Sequence, residues 1–260
     1  MRANLFKIST IARNTFREAV RDRVLYNLVV FVLLITASAV FLGELTAGQE
    51  ARTIVNLGLS ALLLFGAFIA IFVGVGLVSK EIEKRTLYAV FSKPVSRAEF
   101  VIGKYLGLCL TILVNVLVMG AGVSLALVYV GGSNLAVSIW GAIIMIFLEL
   151  CILVAIAIVF STFSSPALSA LLTFLVFVIG HFSASLKDFA ENTGSEFAKM
   201  FFGAIYYLVP NLSHFSFITI SAHGDVPSIV LVGGGVLYSL CYIVVLLAIS
   251  VLIFNRRNLK

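Results

Sequence analysis

Residues 139–163 read IWGAIIMIFLELCILVAIAIVFSTF, and this stretch decides the fold. A membrane helix needs ~20 mostly apolar residues to cross a ~30 Å hydrocarbon core. This run is long enough, and Glu149 is its one formal charge. Five further stretches qualify or nearly do: 24–43, 53–79, 105–130, 167–183 and 228–254. The chain carries 18 Lys and Arg and 12 Asp and Glu, yet Glu149 is the one such residue within all six stretches. Composition agrees: 61% of residues are hydrophobic and 12% charged, against roughly 25% charged in a soluble domain. A mean hydropathy of +1.14 leaves too little polar surface to coat a globule. Disordered chains and nucleic-acid-binding modules need far more charge and are excluded. The reading is an all-α integral membrane protein with six transmembrane helices over 24–254.

Orientation follows from where Lys and Arg collect. The N-terminal segment carries Arg2, Lys7, Arg13, Arg17, Arg21 and Arg23. The 80–104 connection carries Lys80, Lys84, Arg85, Lys93, Arg97 and Lys104, and the 255–260 tail adds Arg256, Arg257 and Lys260. Six spans place all of these on one side and leave Arg52, Lys187 and Lys199 on the other. Both termini are therefore expected in the cytoplasm. The net charge of +6 reads as topology and contact with anionic lipid, not as a nucleic-acid surface. A seventh span over 200–220 would place Pro210, Asn211 and His214 mid-membrane. A cleaved leader ending at Ala37-Ser38-Ala39 would need a charged segment much shorter than 23 residues. Cys109, Cys151 and Cys241 all fall within spans, are odd in number and lack a Cys-x-x-Cys spacing, so they read as packing residues.

Outside the spans, residues 1–23 carry Leu5, Ile8, Ala12, Phe16, Ala19 and Val20 at helical spacing. Arg13, Arg17 and Arg21 step by four along another face, the pattern of an amphipathic helix in the headgroup plane. Such a helix can merely anchor, or it can present a surface to a cytoplasmic partner. The 80–104 connection, KEIEKRTLYAVFSKPVSRAEFVIGK, interleaves charges of both signs. Glu81 and Arg85 are spaced to pair on a short helix. Thr86, Leu87, Ala89, Val90 and Phe91 form a compact apolar patch, which Ser92-Lys93-Pro94 ends. Ser96 and Glu99 are spaced as a capping box for a second helix. Pro94 and Ser96 serve equally well as plain turn and cap residues. The whole predicts a docking surface. In the 184–227 segment, Phe197, Met200, Phe201, Ala204, Ile205 and Leu208 make a helical stripe with Ser195 as its cap, and Pro210-Asn211 breaks the chain. This predicts an interfacial or re-entrant hairpin.

These residues carry a resemblance. Glu81-x-x-x-x-Thr86, then Ser92-x-Pro94-Val95-Ser96-Arg97, then Gly103-Lys104 at the start of a span, resemble the type-two family of ATP-binding-cassette (ABC) export permeases. Arg17-Glu18-x-x-Arg21-Asp22-x-x-x-Tyr26 and Leu208-x-Pro210-Asn211 add to it, so the likeness covers essentially the whole chain. The resemblance implies a permease in which two six-span subunits, of one kind or two, form the path and separate cytoplasmic ATPase subunits power it. It implies that the second-to-third connection docks on the ATPase, with Glu81, Thr86, Pro94, Ser96, Arg97 and Lys104 in or beside the coupling element. On that footing the Thr86–Phe91 patch, including Leu87, Val90 and Phe91, enters a groove on the ATPase while Glu81 and Arg85 set register. ATP and Mg would be held by the partner, and no cofactor by this chain. A bacterial inner membrane suits such a subunit.

The chain shows no chemistry of its own. It lacks G-x-x-x-x-G-K-[ST], so no phosphate-cradling loop can be built. Leu45-Thr46-Ala47-Gly48-Gln49 mimics the signature of the family's ATPase without any nucleotide-binding companion. Gly74-x-Gly76 suits close helix packing rather than a dinucleotide site. His181, His214 and His223 show no metal-ligand spacing, and no enzyme activity is expected of this subunit. Glu149 stands apart, since a carboxylate at the bilayer centre costs ~2.5–3.5 kcal/mol on insertion scales. It must face protein or water, or carry its proton. It then serves either the translocation path or helix–helix adhesion, with Asn115 and Thr173 as candidate partners. An ATP-independent channel or a scaffold subunit of a membrane complex is the alternative class, but a channel would need a series of pore-lining polar residues that these spans barely show. A lipid-modifying enzyme would need clustered His, Asp or Glu.

Overall fold

In a bilayer the backbone must satisfy its own hydrogen bonds, and a helix does so within one segment. The computed structural model describes residues 2–21, 23–44, 49–83, 95–183, 185, 188 and 196–256. Every regular element among the described residues is helical. In chain order they are α1 (Arg2–Val20), α2 (Arg23–Glu44), α3 (Glu50–Glu83), α4 (Arg97–Tyr129), α5 (Ser133–Phe163) and α6 (Pro166–His181). There follow α7 (Glu196–Leu208), a 3-10 turn (Leu212–Phe215), α8 (Ile218–Ala222) and α9 (Ile229–Arg256).

Four of these are long and apolar enough to cross a membrane: Glu50–Gly76 within α3, then α4, α5 and α9. The remaining two expected spans are also helices. α2 has 22 residues and contains 24–43, running on through Ala37-Ser38-Ala39. α6 has 16 residues and is apolar, but it is shorter than a full crossing. Residues 200–220 do not form a seventh continuous helix. α7 stops at Leu208, and the chain resumes as the 3-10 turn and α8 after Pro210-Asn211, because proline interrupts the backbone ladder. The large apolar side chains of α7, among them Phe197, Met200 and Leu208, stay exposed. Leu45–Gly48, Ser195 and 257–260 lie outside the described residues.

α5 occupies the middle. Its residues from Glu149 to Val159 are buried without interruption, and α3, α4, α6, α9, α8 and the 3-10 turn pack around it. Glycines let its neighbours approach. A Cβ on Gly66 would lie 2.7 Å from Leu150 Cδ1, and one on Gly74 would lie 3.2 Å from the Ala157 Cβ. Gly74 is thus a packing glycine, whereas Gly76 meets nothing within 4 Å.

Two boundaries differ from the hydropathy reading, and both shorten the 80–104 connection. α3 continues to Glu83, so Glu81 lies in its last turn rather than on a separate short helix. α4 begins at Arg97 rather than at 105, because the Ser96–Glu99 capping box starts a helix that runs unbroken into the apolar stretch. Residues 84–94 lie outside the described residues. The end of the bundle that holds Arg97, Lys104 and Arg256 is called the basic end below.

At that end α1 packs along the first turns of α4, with a lesser contact on α3. Gly103 and Gly107, one turn apart, form the seam: a Cβ on Gly103 would sit 2.7 Å from the Ile11 Cβ, and one on Gly107 would sit 2.6 Å from the Thr15 Cβ. Thr15 and Ala19 are buried there, while Leu5, the first residue of the expected apolar stripe, and its neighbour Phe6 are exposed. α1 is therefore a docked helix whose apolar side is partly used on protein. Gly107→Val overfills this seam and should cost about 1–3 kcal/mol. The checks are a lower thermal midpoint and faster proteolysis within α1.

Candidate functional site

The basic-end junction grows from the start of α4. Ser96 sits outside the helix with extended backbone, and its hydroxyl accepts from the Glu99 N–H at 3.1 Å. The Ser96 N–H donates back to Glu99 Oε2 at 2.7 Å. Two otherwise orphaned amides are satisfied together. Lys7 of α1 brings its ammonium to 4.0 Å from the same carboxylate oxygen. Lys104, two turns on, is buried to 3% exposure. Its ammonium lies 3.8 Å from Glu18 of α1 and 5.9 Å from the Phe100 ring centroid.

Arg97 reaches the other way. Its Nη1 donates to the carbonyl of Phe254, in the last turn of α9, and its guanidinium stands 5.7 Å from the Phe254 ring centroid. The carbonyl lies in the last turn of α9, where a cation meets the negative pole of the helix dipole. Phe100 stacks on Phe254 at 5.9 Å and 12°. One turn of α4 thus ties α1 on one side to the end of α9 on the other.

The candidate residues divide accordingly. Ser96, Arg97 and Lys104 are brought together here, with Ser96 exposed, Arg97 half-buried against α9 and Lys104 buried under α1. Arg13 and Arg17 lie on the exposed face of α1, and Arg21, just past its end, is exposed too. Glu81 is in the last turn of α3, and Arg85, Thr86, Leu87, Val90, Phe91 and Pro94 lie outside the described residues.

A second polar site lies inside the bundle. Glu149 is wholly buried, and its expected partners are engaged elsewhere: Asn115 donates to the Thr111 carbonyl at 2.6 Å, and Thr173 to that of Ser169 at 2.7 Å. Short polar side chains readily back-bond to their own helix. The group that approaches Glu149 is His181, whose Nδ1 lies 3.5 Å from Oε1. One signal pointed to it, since His181 is the histidine within the 167–183 stretch and a buried polar group needs a partner.

Beyond His181 the Pro210-Asn211 break is built from side chains on three segments. Ser183 and Ser213 donate to Asn211 Oδ1 at 2.5 and 2.6 Å, and the Asn211 N–H donates to the Tyr238 hydroxyl at 2.8 Å. His214 Nε2 lies 3.2 Å from Asn211 Nδ2. Ser183 and Tyr238 are separated from Asn211 by more than 25 residues and had no local signature. Among the described residues no three His, Cys, Asp or Glu side chains converge as a metal site.

A helical membrane domain whose second-to-third connection is flanked by such a junction is the setting for the comparison with known families. The family model described as ABC-2 family transporter protein matches residues 9–259. The chain belongs to the ABC-2 transporter family. No individual curated protein matches it. The match spans most of α1, the first site except Lys7, the whole second site and α9, so these are parts of an ABC-2 membrane domain. The family implies partnership with an ABC ATPase and residence in a membrane.

Breaking the Arg97–Phe254 link should loosen one helix end specifically. Arg97→Met keeps the apolar stem, loses a charge-assisted hydrogen bond and should cost about 1.5–3 kcal/mol. Hydrogen exchange should rise in the last turn of α9, with α2 unaffected. Ser96→Ala should cost about 1 kcal/mol through the lost cap.

Proposed function

We propose that this chain is the permease subunit of an ATP-driven exporter. Two six-span subunits form the translocation path, and a separate cytoplasmic ABC ATPase drives it through the 80–104 connection. The observation that carries this reading is the family match over 9–259. The basic-end junction supports it, because a load applied to 84–94 would enter the bundle through Arg97 and pass to α1 and α9 at once. Both termini are then cytoplasmic, ATP and Mg belong to the partner, and this chain performs no hydrolysis. A path between spans this apolar suits an amphiphilic cargo moved by alternating access in a bacterial inner membrane.

Within this proposal the Thr86–Phe91 patch fills a groove on the ATPase, and Glu81 and Arg85 orient it. Arg13, Arg17 and Arg21 face the headgroups or the same partner. Gentle solubilisation from the native membrane should bring an ATPase with the wild-type chain. Replacing 86–91 with Gly/Ser should lose that ATPase while the permease stays folded, and Glu81→Lys should weaken both complex formation and stimulation of ATP hydrolysis. If a folded permease brings no ATPase at all, the chain is a channel or scaffold subunit. Retention of the partner by the Gly/Ser variant would move the docking surface elsewhere.

A further inference from the structure

Glu149 and His181 meet between α5 and the last residue of α6. An uncompensated charge is heavily penalised at such a site. The 3.5 Å between His181 Nδ1 and Glu149 Oε1 is long for a finished hydrogen bond. Among the described residues, neither carboxyl oxygen has a hydrogen-bond partner, and neither has His181 Nε2. Nδ1 also lies 3.3 Å from the Phe177 carbonyl of its own helix. The ring nitrogen therefore faces two groups at similar range and can serve them in opposite ways. As a lone pair it accepts from a carboxyl O–H. As an N–H it donates to the Phe177 carbonyl.

The neighbouring elements leave this pair to itself. α3 packs on both α5 and α6 and carries no ionisable side chain between 53 and 79. α8 carries none, and His223 just after it bonds the Thr219 carbonyl. The 3-10 turn contributes His214 and α9 contributes Tyr238, both engaged at Asn211. Further along α9 lie Cys241 and Tyr242, while Tyr105, Cys109 and Cys151 lie toward the basic ends of α4 and α5.

The residues beside His181 touch what stands beyond it. Gly180 admits the 3-10 turn so closely that a Cβ there would lie 2.8 Å from both the Pro210 carbonyl oxygen and Leu212 Cγ. Two residues after His181, Ser183 holds Asn211. The place of the Pro210-Asn211 turn therefore follows the end of α6.

We propose that Glu149 and His181 are a positioning pair: one proton shared between carboxyl and imidazole latches the end of α6, and with it the Pro210-Asn211 turn, onto α5. In the closed state the Glu149 carboxyl donates to Nδ1, and Nε2 carries the proton of the ring. Loss of the shared proton to water leaves two acceptors facing each other. The carboxylate then needs water, α6 parts from α5 to admit it, and the imidazole, clear of the carboxylate, exchanges its Nε2 proton through that water for one at Nδ1 and donates to Phe177. The His181 side chain keeps 23% of its surface accessible while that of Glu149 keeps none, so water reaches the pair from the imidazole side. The consequence for transport rests on the permease reading, whereas the latch itself is a property of this chain alone.

The test therefore uses the permease without any ATPase, in lipid nanodiscs, with unfolding followed through Trp140, the sole tryptophan. Wild type, Glu149→Gln, His181→Gln and the double variant are compared between about pH 5 and 9, the range around an imidazole. The wild-type midpoint should fall by about 2–4 °C as pH rises and the shared proton is lost. Each single variant should flatten that dependence, and the double variant should lose less than the sum of the two. Additive losses, or an unchanged pH profile in Glu149→Gln, would overturn the latch. If a single variant does not fold, nitrogen NMR of labelled histidine decides on a chain in which exposed His214 and His223 are replaced by Gln. Conversion of His181 Nδ1 from acceptor to N–H as pH rises supports the latch, and one unchanging tautomer overturns it.

Discussion

A helix with no polar side has nothing to turn toward water, and α5 is that helix. Its buried run from Glu149 to Val159 has no exposed stripe, so every direction around it must be filled by another element. α3, α4, α6 and α9 supply the long walls, while the 3-10 turn and α8 close the upper part where α6 falls short. Association of helices in lipid depends on close packing rather than on apolar burial alone. That explains the glycines at contact points, with Gly66 and Gly74 against α5 and Gly103 and Gly107 against α1. The same constraint makes Glu149 conspicuous, because it stands where no other formal charge is admitted.

Hydropathy alone made the helices legible, because a span is a local property of composition and length. The edges were less legible where charged residues belong to a helix. Glu99 and Lys104 look like loop residues to a hydropathy window, yet the capping box at Ser96 starts α4 before them, and Lys104 is buried under α1. The capping box itself was readable, and so was the stripe that became α7. What could not be read were partners far apart in the chain. Arg97 to Phe254, Ser183 to Asn211 and Glu149 to His181 join segments whose order in space no spacing rule encodes. Asn115 and Thr173 were plausible companions for Glu149 by type, but each bonds the carbonyl four residues before it. The Gly103–Gly107 seam was present as two small residues one turn apart, a pattern that marks close helix contact without naming the partner.

The two sites hold the two ends of the bundle in different ways. At the basic end, α1 and the start of α4 are interlocked by the glycine seam and by the Lys7–Glu99 and Glu18–Lys104 pairs, and Arg97 adds the end of α9. Each pair keeps one partner partly exposed and closes only to 3.8–4.0 Å, and half-exposed ion pairs contribute little singly, so packing and the capped helix start are the main ties. At the far end, α6 stops early and passes its position to the Pro210-Asn211 turn through Gly180 and Ser183. One end is joined by close packing and a capped helix start, and the other by a few polar contacts.

The direct measurement is a pair of spin-label distances in the permease reconstituted with its ATPase, with and without ATP. One pair joins Arg13 on α1 to Leu106 on α4, and the other joins Leu106 to Phe182 at the end of α6. All three positions are exposed. The account predicts that the first distance stays fixed while the second changes when ATP binds. A change between Arg13 and Leu106, or no change in either pair, would contradict a basic-end junction that moves as one body.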